Sequence, residues 1–304
     1  MISDSVPILI ILCGPTAVGK TALSIQLSKL FNAEILSADS RQFYREMKIG
    51  TAPPSEQELM EVPHHFIGNL SIHDDYNVSR YETEVVTRLE SLFATHKYAL
   101  LVGGSGLYIH AVSHGIDDLP DPDSDLRSQL KELYSMYGIE VLSKKLKELD
   151  PLYYKEVDRS NPNRLLRALE VCITTGIPFS DLRRRTAKKR DFRMIQIGLE
   201  RERSELNARI GQRVDHMIEA GLLEEVRQLA PFQSLNALNT VGYRELFHFL
   251  NGTMTLEQAI EKIKTNTRRF AKRQMTWFHK QKEITWFHPD DFNGIVRFIR
   301  ESVW

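Results

Sequence analysis

The first hydrophobic feature is a continuous run, Ile8–Cys13, closed by Gly14-Pro15. An unbroken apolar run of this length predicts a strand buried on both faces. A loop follows, and then Leu23, Leu27 and Leu30 recur at i, i+4 and i+7, the stripe of an amphipathic helix. Glu34–Ala38 predicts a short second strand ending at Asp39-Ser40, and Tyr98–Val102 a third that runs into Gly103-Gly104-Ser105-Gly106. Strands alternating with helices predict a parallel α/β sheet, whose ligands bind at the carboxyl ends of the strands. The loops 14–21, 39–42 and 103–106 are therefore expected to share one edge.

From about Asp117 the pattern changes. Asp117, Asp118, Asp121, Asp123 and Asp125, with Pro120 and Pro122, form an acidic loop that leads into helical sequence. One helix is well framed: Asn161 can cap it, Pro162 suits its first position, and Gly176 and Pro178 stop it. Leu166, Leu169 and Ile173 are its expected buried stripe, with Arg164 and Arg167 on roughly the opposite face. Arg193–Leu199 reads as a strand returning to the sheet, and a tail helix is expected near 256–280. The expected organisation is an α/β core of residues 1–114 and 191–304, interrupted by a helical insertion over 115–190.

Composition agrees with a soluble globular chain: of 304 residues, 42% are hydrophobic and 26% charged. Cys13 and Cys172 are too few for a disulfide framework or a Cys-rich zinc site and are expected to serve packing. The apolar stretch from Val6 is too short to span a membrane and lacks the flanks of a signal peptide, so a cytoplasmic location is expected. Lys+Arg and Asp+Glu both number 40. That balance weighs against a nucleic-acid partner, but it conceals a split. Residues 1–160 hold 15 of the 40 basic and 23 of the 40 acidic side chains, so 161–304 hold the remaining 25 and 17. Such asymmetry points to a surface that meets an anion.

The sharpest motif is Gly14-Pro15-Thr16-Ala17-Val18-Gly19-Lys20-Thr21, which fits G-x-x-x-x-G-K-[ST] between a predicted strand and a predicted helix. Its glycines let backbone N–H groups turn toward phosphate oxygens, Lys20 adds a charge, Thr21 can reach Mg²⁺, and the helix N-terminus adds its dipole. This signals a di- or triphosphate, without specifying a nucleotide or hydrolysis. Asp39, at the same edge, can hold Mg²⁺ or take a proton from a nucleophile, or can simply form a turn. The Gly103–Gly106 loop allows close backbone approach, and Ser105 offers a hydroxyl. No strand ends in the acidic residue and water-activating partner of an ordinary ATPase.

Arg183, Arg184, Arg185, Lys188, Lys189, Arg190 and Arg193 crowd the end of the insertion. Arg269, Lys272 and Arg273 lie on one face of the tail helix, with Ala271, Met275 and Phe278 on another. Each cluster alone reads as a solvated face. Together with Arg164 and Arg167 they suggest a track for a phosphate backbone. His64-His65, in an expected loop without further ligands, is poor grounds for a metal. Read without further information, the motifs leave room for an ATP-dependent small-molecule kinase or a non-catalytic nucleic-acid-binding NTPase.

Eight ordered blocks narrow this: GPTAVGKT, SADSRQFYREMKIGTA (37–52), VPHHF (62–66), VGGSGLY (102–108), NPNRLLRALEV (161–171), RVDHMIEAGLLEEV (213–226), TVGYRE (240–245) and RRFAKRQMTWF (268–278). They resemble the tRNA dimethylallyltransferase (tRNA isopentenyltransferase) family, bacterial type, over nearly the whole chain. The resemblance implies a P-loop NTPase-like α/β core with a helical insertion and a helical C-terminal region. It implies transfer of a dimethylallyl group from dimethylallyl diphosphate to N6 of the adenine just 3′ of the tRNA anticodon, with Mg²⁺ and without consumption of ATP. A monomer is expected.

By resemblance, Gly14 to Thr21 and Arg213 hold the diphosphate, Asp39 is the catalytic aspartate, and Ser105 stands where the family has threonine. Asp39, Ser40, Arg41, Gln42, Ser105, Arg127, Asn163, Arg164, Leu165, Leu166 and Arg167 correspond to tRNA-contacting positions, joined by Arg269, Lys272 and Arg273 of the tail helix. The chain departs from the family at Pro53, where a lysine is common, and in HHFIGNL (64–70), which lacks the usual aspartate. It ends without the zinc-finger ligands of many eukaryotic relatives.

Overall fold

The structure, a computed structural model, describes residues 6–117, 119–121, 123–183 and 186–303. The expected roles of Asp118, Pro122, Arg184 and Arg185 thus lie outside the described residues. The chain divides into two compact units, Met1–Ser113 with Lys189–Trp304, and His114–Lys188. It runs through β1 (Ile8–Cys13), α1 (Lys20–Phe31), β2 (Ile35–Ser37), α2 (Glu56–Glu61), β3 (His64–His65), α3 (Val78–Phe93), β4 (Tyr98–Gly103) and α4 (Gly106–His114). The second unit contributes α5 (Ser124–Tyr137), α6 (Ile139–Leu149), α7 (Pro151–Glu156), α8 (Pro162–Thr175) and α9 (Phe179–Leu182). The chain closes with β5 (Arg193–Leu199), α10 (Arg203–Glu219), α11 (Leu222–Leu229), α12 (Tyr243–Leu250), α13 (Leu256–Phe278), β6 (Ile284–Phe287) and α14 (Phe292–Glu301).

The six strands form one sheet in the order β3-β2-β4-β1-β5-β6, all neighbours parallel. Side chains of β1 alternate between two cores. Ile8, Ile10 and Leu12 pack with α1, α10 and α14, while Leu9, Ile11 and Cys13 pack with α3 and α4. This double burial is why the run is apolar without alternation. Register sets the working edge: Cys13 lies opposite both Gly103 and Gly198, and Ser37 opposite Val102. The loops after β1, β2 and β4 therefore leave the sheet at one level. Gly103 cannot be replaced there, because a Cβ would stand 2.1 Å from the Ala38 carbonyl oxygen. In the same unit α10 to α13 enclose a further core around Tyr243, Leu246, Val226 and Ile263. No helix among the described residues is long and apolar enough to cross a membrane.

Several expectations need correction. The His64-His65 pair is a short edge strand paired with β2 rather than a loop, and His65 Nε2 meets Glu34 at 2.5 Å. The second strand is trimmed to Ile35–Ser37, and β6 has no clear periodic signal in its sequence because it is only four residues long. Leu30 is exposed, since α1 turns Leu23, Ile25 and Leu27 inward instead. Arg190 is not part of a surface track: it is buried against Glu82 (2.7 Å) and donates to the Ala111 and Val112 carbonyls. Arg193 donates to the carbonyls of Ser302 and Val303.

In the second unit, α8 begins and ends as its sequence dictates. The Asn161 side chain accepts from the Arg164 N–H, Pro162 occupies the first turn, and Gly176 closes the helix in the left-handed region. Its buried face is Leu165, Leu166, Ala168, Leu169 and Cys172, packed on Leu130, Leu142, Leu146 and Tyr153. Ile173 is 44% exposed, so the expected stripe is rotated by about a residue. We expect Leu169→Ala to cost about 2–5 kcal/mol as a core cavity, and Ile173→Ala to cost under about 0.5 kcal/mol as a surface change. Urea unfolding of the full chain monitored by circular dichroism measures both, and equal costs would contradict this packing.

Candidate active site

The phosphate loop leaves β1 through Gly14 at φ +150°, where a Cβ would lie 2.7 Å from the Leu199 carbonyl oxygen. It re-enters regular structure at Gly19 (φ +113°), the N-cap of α1. Lys20 folds back over the loop and its Nζ donates to the carbonyls of Gly14 (3.0 Å) and Pro15 (2.7 Å). Burial disfavours its ammonium, and the Arg213 guanidinium adds repulsion. Asp39 and Cys13 offset this only in part, so the Lys20 pKa is pushed down to about 8. Burial likewise lowers the pKa of Arg213 and raises that of the Cys13 thiol to about 12.

Other elements close around this loop. Arg213 of α10 donates to Thr16 Oγ1 at 3.2 Å. Gln274 of α13, buried, accepts from the Thr16 N–H and donates to the Gly104 carbonyl, both at 3.0 Å. This one amide therefore ties the β1 loop to the β4 loop. Asp39, at the end of β2, accepts from the Arg41 N–H at 3.0 Å and is electrostatically coupled to both Lys20 and Arg213. Ser105 joins the β2 and β4 loops: its Oγ accepts from the Ser40 N–H at 3.0 Å and donates to Ser40 Oγ at 3.2 Å. Phosphate loop, Asp39, Ser105 and Arg213 thus meet at one edge.

Beside them lies a cavity of about 280 Å³ lined by Ser40, Gly104, Ser105, Tyr108, Phe270, Arg273 and Trp277. Its aromatic walls and single cation suit a flat, hydrogen-bonding ring. A second cavity of about 430 Å³, between α10 and α13, is lined by Pro15, Leu206, Ala271 and Met275 with Arg203, Arg268, Arg269 and Lys272. The tail-helix cations thus do not act as one patch. Arg269 and Lys272 face the larger cavity, Arg273 the smaller, and Ala271 and Phe278 are buried between.

The remaining positions separate by environment. Arg41 donates to the Asn236 and Ala237 carbonyls, and the Gln42 amide to those of Thr51 and Ala52, so both brace the β2 loop. In the second unit, Arg127 Nε and Arg167 Nη1 lie 3.2 and 3.5 Å from the two oxygens of Glu170, which is 1% exposed. Neither contact has hydrogen-bond alignment, whereas Arg167 also donates to the Pro120 carbonyl at 2.7 Å. Arg167 therefore does not project freely. Arg164 and Asn163 are exposed, while the Leu165 and Leu166 side chains are committed to the unit's own core.

Arg201 and Arg209 lie outside every motif block, while Gln274 and Glu170 lie inside two of the blocks without having been singled out there. The only sequence signal for Arg209 is its i, i+4 spacing from Arg213 on one helix. Among the described residues no group of three or more His, Cys, Asp or Glu could hold a metal by itself.

A phosphate loop with a carboxylate, a hydroxyl and an aromatic-lined cavity at one sheet edge suits a transferase that holds a phosphorylated donor beside a ring-sized pocket. The sequence pattern of the IPP transferase family matches residues 42–281. Similar proteins include tRNA dimethylallyltransferase 1 of Phocaeicola vulgatus, 50% identical across 96% of this chain and 97% of the relative. The tRNA dimethylallyltransferase of Christiangramia forsetii is 54% identical across 91% of each. Among solved structures, the tRNA isopentenylpyrophosphate transferase of Bacillus halodurans superposes with a TM-score of 0.72 at 35% identity, over 97% of this chain and 96% of its own. A eukaryotic dimethylallyltransferase acting on tRNA gives 0.74 at 29% identity, over 89% of this chain and 69% of its own. The chain belongs to the IPP transferase family, a family of prenyl-transferring enzymes on a P-loop NTPase-like fold.

The depressed Lys20 pKa has a measurable consequence. Above pH about 8 the free protein carries a largely neutral Lys20, and a bound anion favours the charged form. Pyrophosphate binding at pH 8.5–9 should therefore take up a proton, and affinity should fall as pH rises through about 8. Calorimetry in two buffers of different ionisation enthalpy reads the net proton exchange, and the wild type should take up more proton than Lys20→Met, in which only the ligand's own titration remains.

Proposed function

We propose that the protein transfers the dimethylallyl group of dimethylallyl diphosphate to N6 of the adenine immediately 3′ of the anticodon in tRNA, releasing diphosphate. The observation that carries this reading is the meeting of the phosphate loop, Asp39, Ser105 and Arg213 at one sheet edge beside an aromatic cavity. The relatives' names agree with it.

An adenine stacked in the anticodon loop is out of reach, so the base must leave the stack and enter a pocket. Tyr108, Phe270 and Trp277 offer it faces, and Ser40 and Ser105 offer polar atoms. The exocyclic amine is a weak nucleophile because its lone pair is delocalised into the ring. As its nitrogen bonds to C1 of the donor and the C1–O bond breaks, Asp39 accepts the N6 proton. Negative charge then develops on the departing diphosphate. Lys20, Arg213 and the loop N–H groups are preorganised to meet it, which is worth more in a site closed to water. Ser105, whose hydroxyl hydrogen needs only to rotate away from Ser40, can donate to the bridging oxygen.

Mg²⁺ fits this donor set only as a partner of the diphosphate, since the ion keeps most of its waters and uses few protein oxygens. Thr21 would hold it, and when bound it supplies charge neutralisation on the diphosphate. On the RNA side, exposed Arg164 and Asn163, Arg127 and Arg167 beside Glu170, and Arg273 at the cavity are the candidate contacts with the anticodon stem-loop. Phosphate contacts of this kind position the RNA without reading its sequence.

Incubation with unmodified tRNA and dimethylallyl diphosphate should add one dimethylallyl group to a single adenine, read by mass spectrometry of the digested RNA. ATP in place of the prenyl donor should add nothing. ATP turnover with no modified adenine would favour a kinase and overturn the proposal. Asp39→Ala should lower kcat by about 10²–10⁴ with tRNA affinity retained, the range of a lost general base. Unchanged turnover would remove Asp39 from that role.

A further inference from the structure

A loop that offers its N–H groups to an anion must turn its carbonyls away and satisfy them elsewhere. In this protein four loop carbonyls are satisfied by cationic donors. Lys20 takes Gly14 and Pro15 from inside. From outside, Arg209 Nε donates to the Ala17 carbonyl and Arg201 Nε to the Val18 carbonyl, each at 2.9 Å. Arg213 continues the series at Thr16 Oγ1. Three arginines of one segment therefore read three successive loop residues in reverse order.

Ala17 is the residue that needs this. It sits at φ +65°, in the left-handed region, where a side chain with a Cβ is disfavoured; the loop's other positive φ values fall on Gly14 and Gly19. A glycine would relieve the strain, but the Ala17 methyl is buried in the core beside β1. Arg201 has other work, being paired with Glu205 and Asp290. Arg209 makes no ion pair within 4 Å among the described residues, and its hydrogen bond is to Ala17.

Resting on the diphosphate-binding reading above, we propose that Arg209 is a positioning residue of the transfer reaction. It holds the Ala17 carbonyl outward and so keeps the loop in the strained conformation that binds diphosphate, without touching the substrate itself.

The test uses the full chain and inorganic pyrophosphate as probe, followed by steady-state kinetics. Arg209→Met should weaken pyrophosphate binding and raise KM for dimethylallyl diphosphate about tenfold, the loss expected for one charged hydrogen bond. kcat at saturating donor should stay within about twofold, as should KM for tRNA. Arg209→Lys, which keeps the charge without the guanidinium fork, should fall between. Adding Ala17→Gly to Arg209→Met should recover most of the lost affinity, because glycine adopts the left-handed conformation unaided. Pyrophosphate affinity unchanged in Arg209→Met, or no recovery on adding Ala17→Gly, would overturn the proposal. Because the pyrophosphate measurements need neither prenyl donor nor tRNA, they decide the role of Arg209 even if the wild-type protein fails to prenylate RNA.

Discussion

The site depends on the burial of β1. All six of its side chains are buried, and both its edges are paired, to β4 and to β5. A strand held on four sides cannot slip, because a shift of one residue would exchange the side chains of its two cores. The point at which the chain leaves Cys13 is thereby fixed against Gly103 and Gly198, and the phosphate loop begins from a rigid base. Asp39 and Ser105 inherit their positions from the same register, through β2 and β4.

Positive charge at the loop comes at a cost that the fold distributes. Lys20 and Arg213 are both half-buried; the Arg213 guanidinium opposes the charged form of Lys20, and Arg209 opposes that of Arg213. Carbonyl oxygens and the nearby Asp39 offset part of that penalty, and a diphosphate would offset more. The free protein is thus electrostatically incomplete at this point, which would favour an anion there. Glu170 in the second unit follows a related logic. A buried carboxylate with two guanidinium groups beside it restricts Arg127 and Arg167, which lowers the side-chain entropy that any contact they make would cost.

The zero net charge looks different once side chains are sorted by environment. Arg190, Arg193, Arg201 and Arg41 are engaged with carboxylates or backbone carbonyls and contribute little free field. Arg203, Arg268, Lys272 and Arg273 border the two cavities, where no acidic side chain among the described residues lines the wall. Steering of an anion is a matter of these local groupings, and the overall balance of 40 against 40 says little about it.

Much was determined by the sequence alone. The phosphate loop between strand and helix, the α/β class, the limits of α8 and the candidates Asp39 and Ser105 all rest on local rules: apolar runs, caps, and glycines where the backbone must bend; Arg213 came only from the resemblance to the family. The faces of helices were less legible. Leu30 and Ile173 satisfy a helical period yet are exposed, because which turn of a stripe meets the core depends on the neighbouring element. Leu165 and Leu166 lie in a motif block but pack inward for the same reason. Only the tertiary structure decided that Gln274 ties two loops together and that Arg201 and Arg209 brace one of them, the phosphate loop, since these partners stand 170 to 258 residues apart along the chain. No local period or spacing encodes such contacts. They arise because a parallel sheet brings distant strand ends to one edge, and long helices then cross that edge.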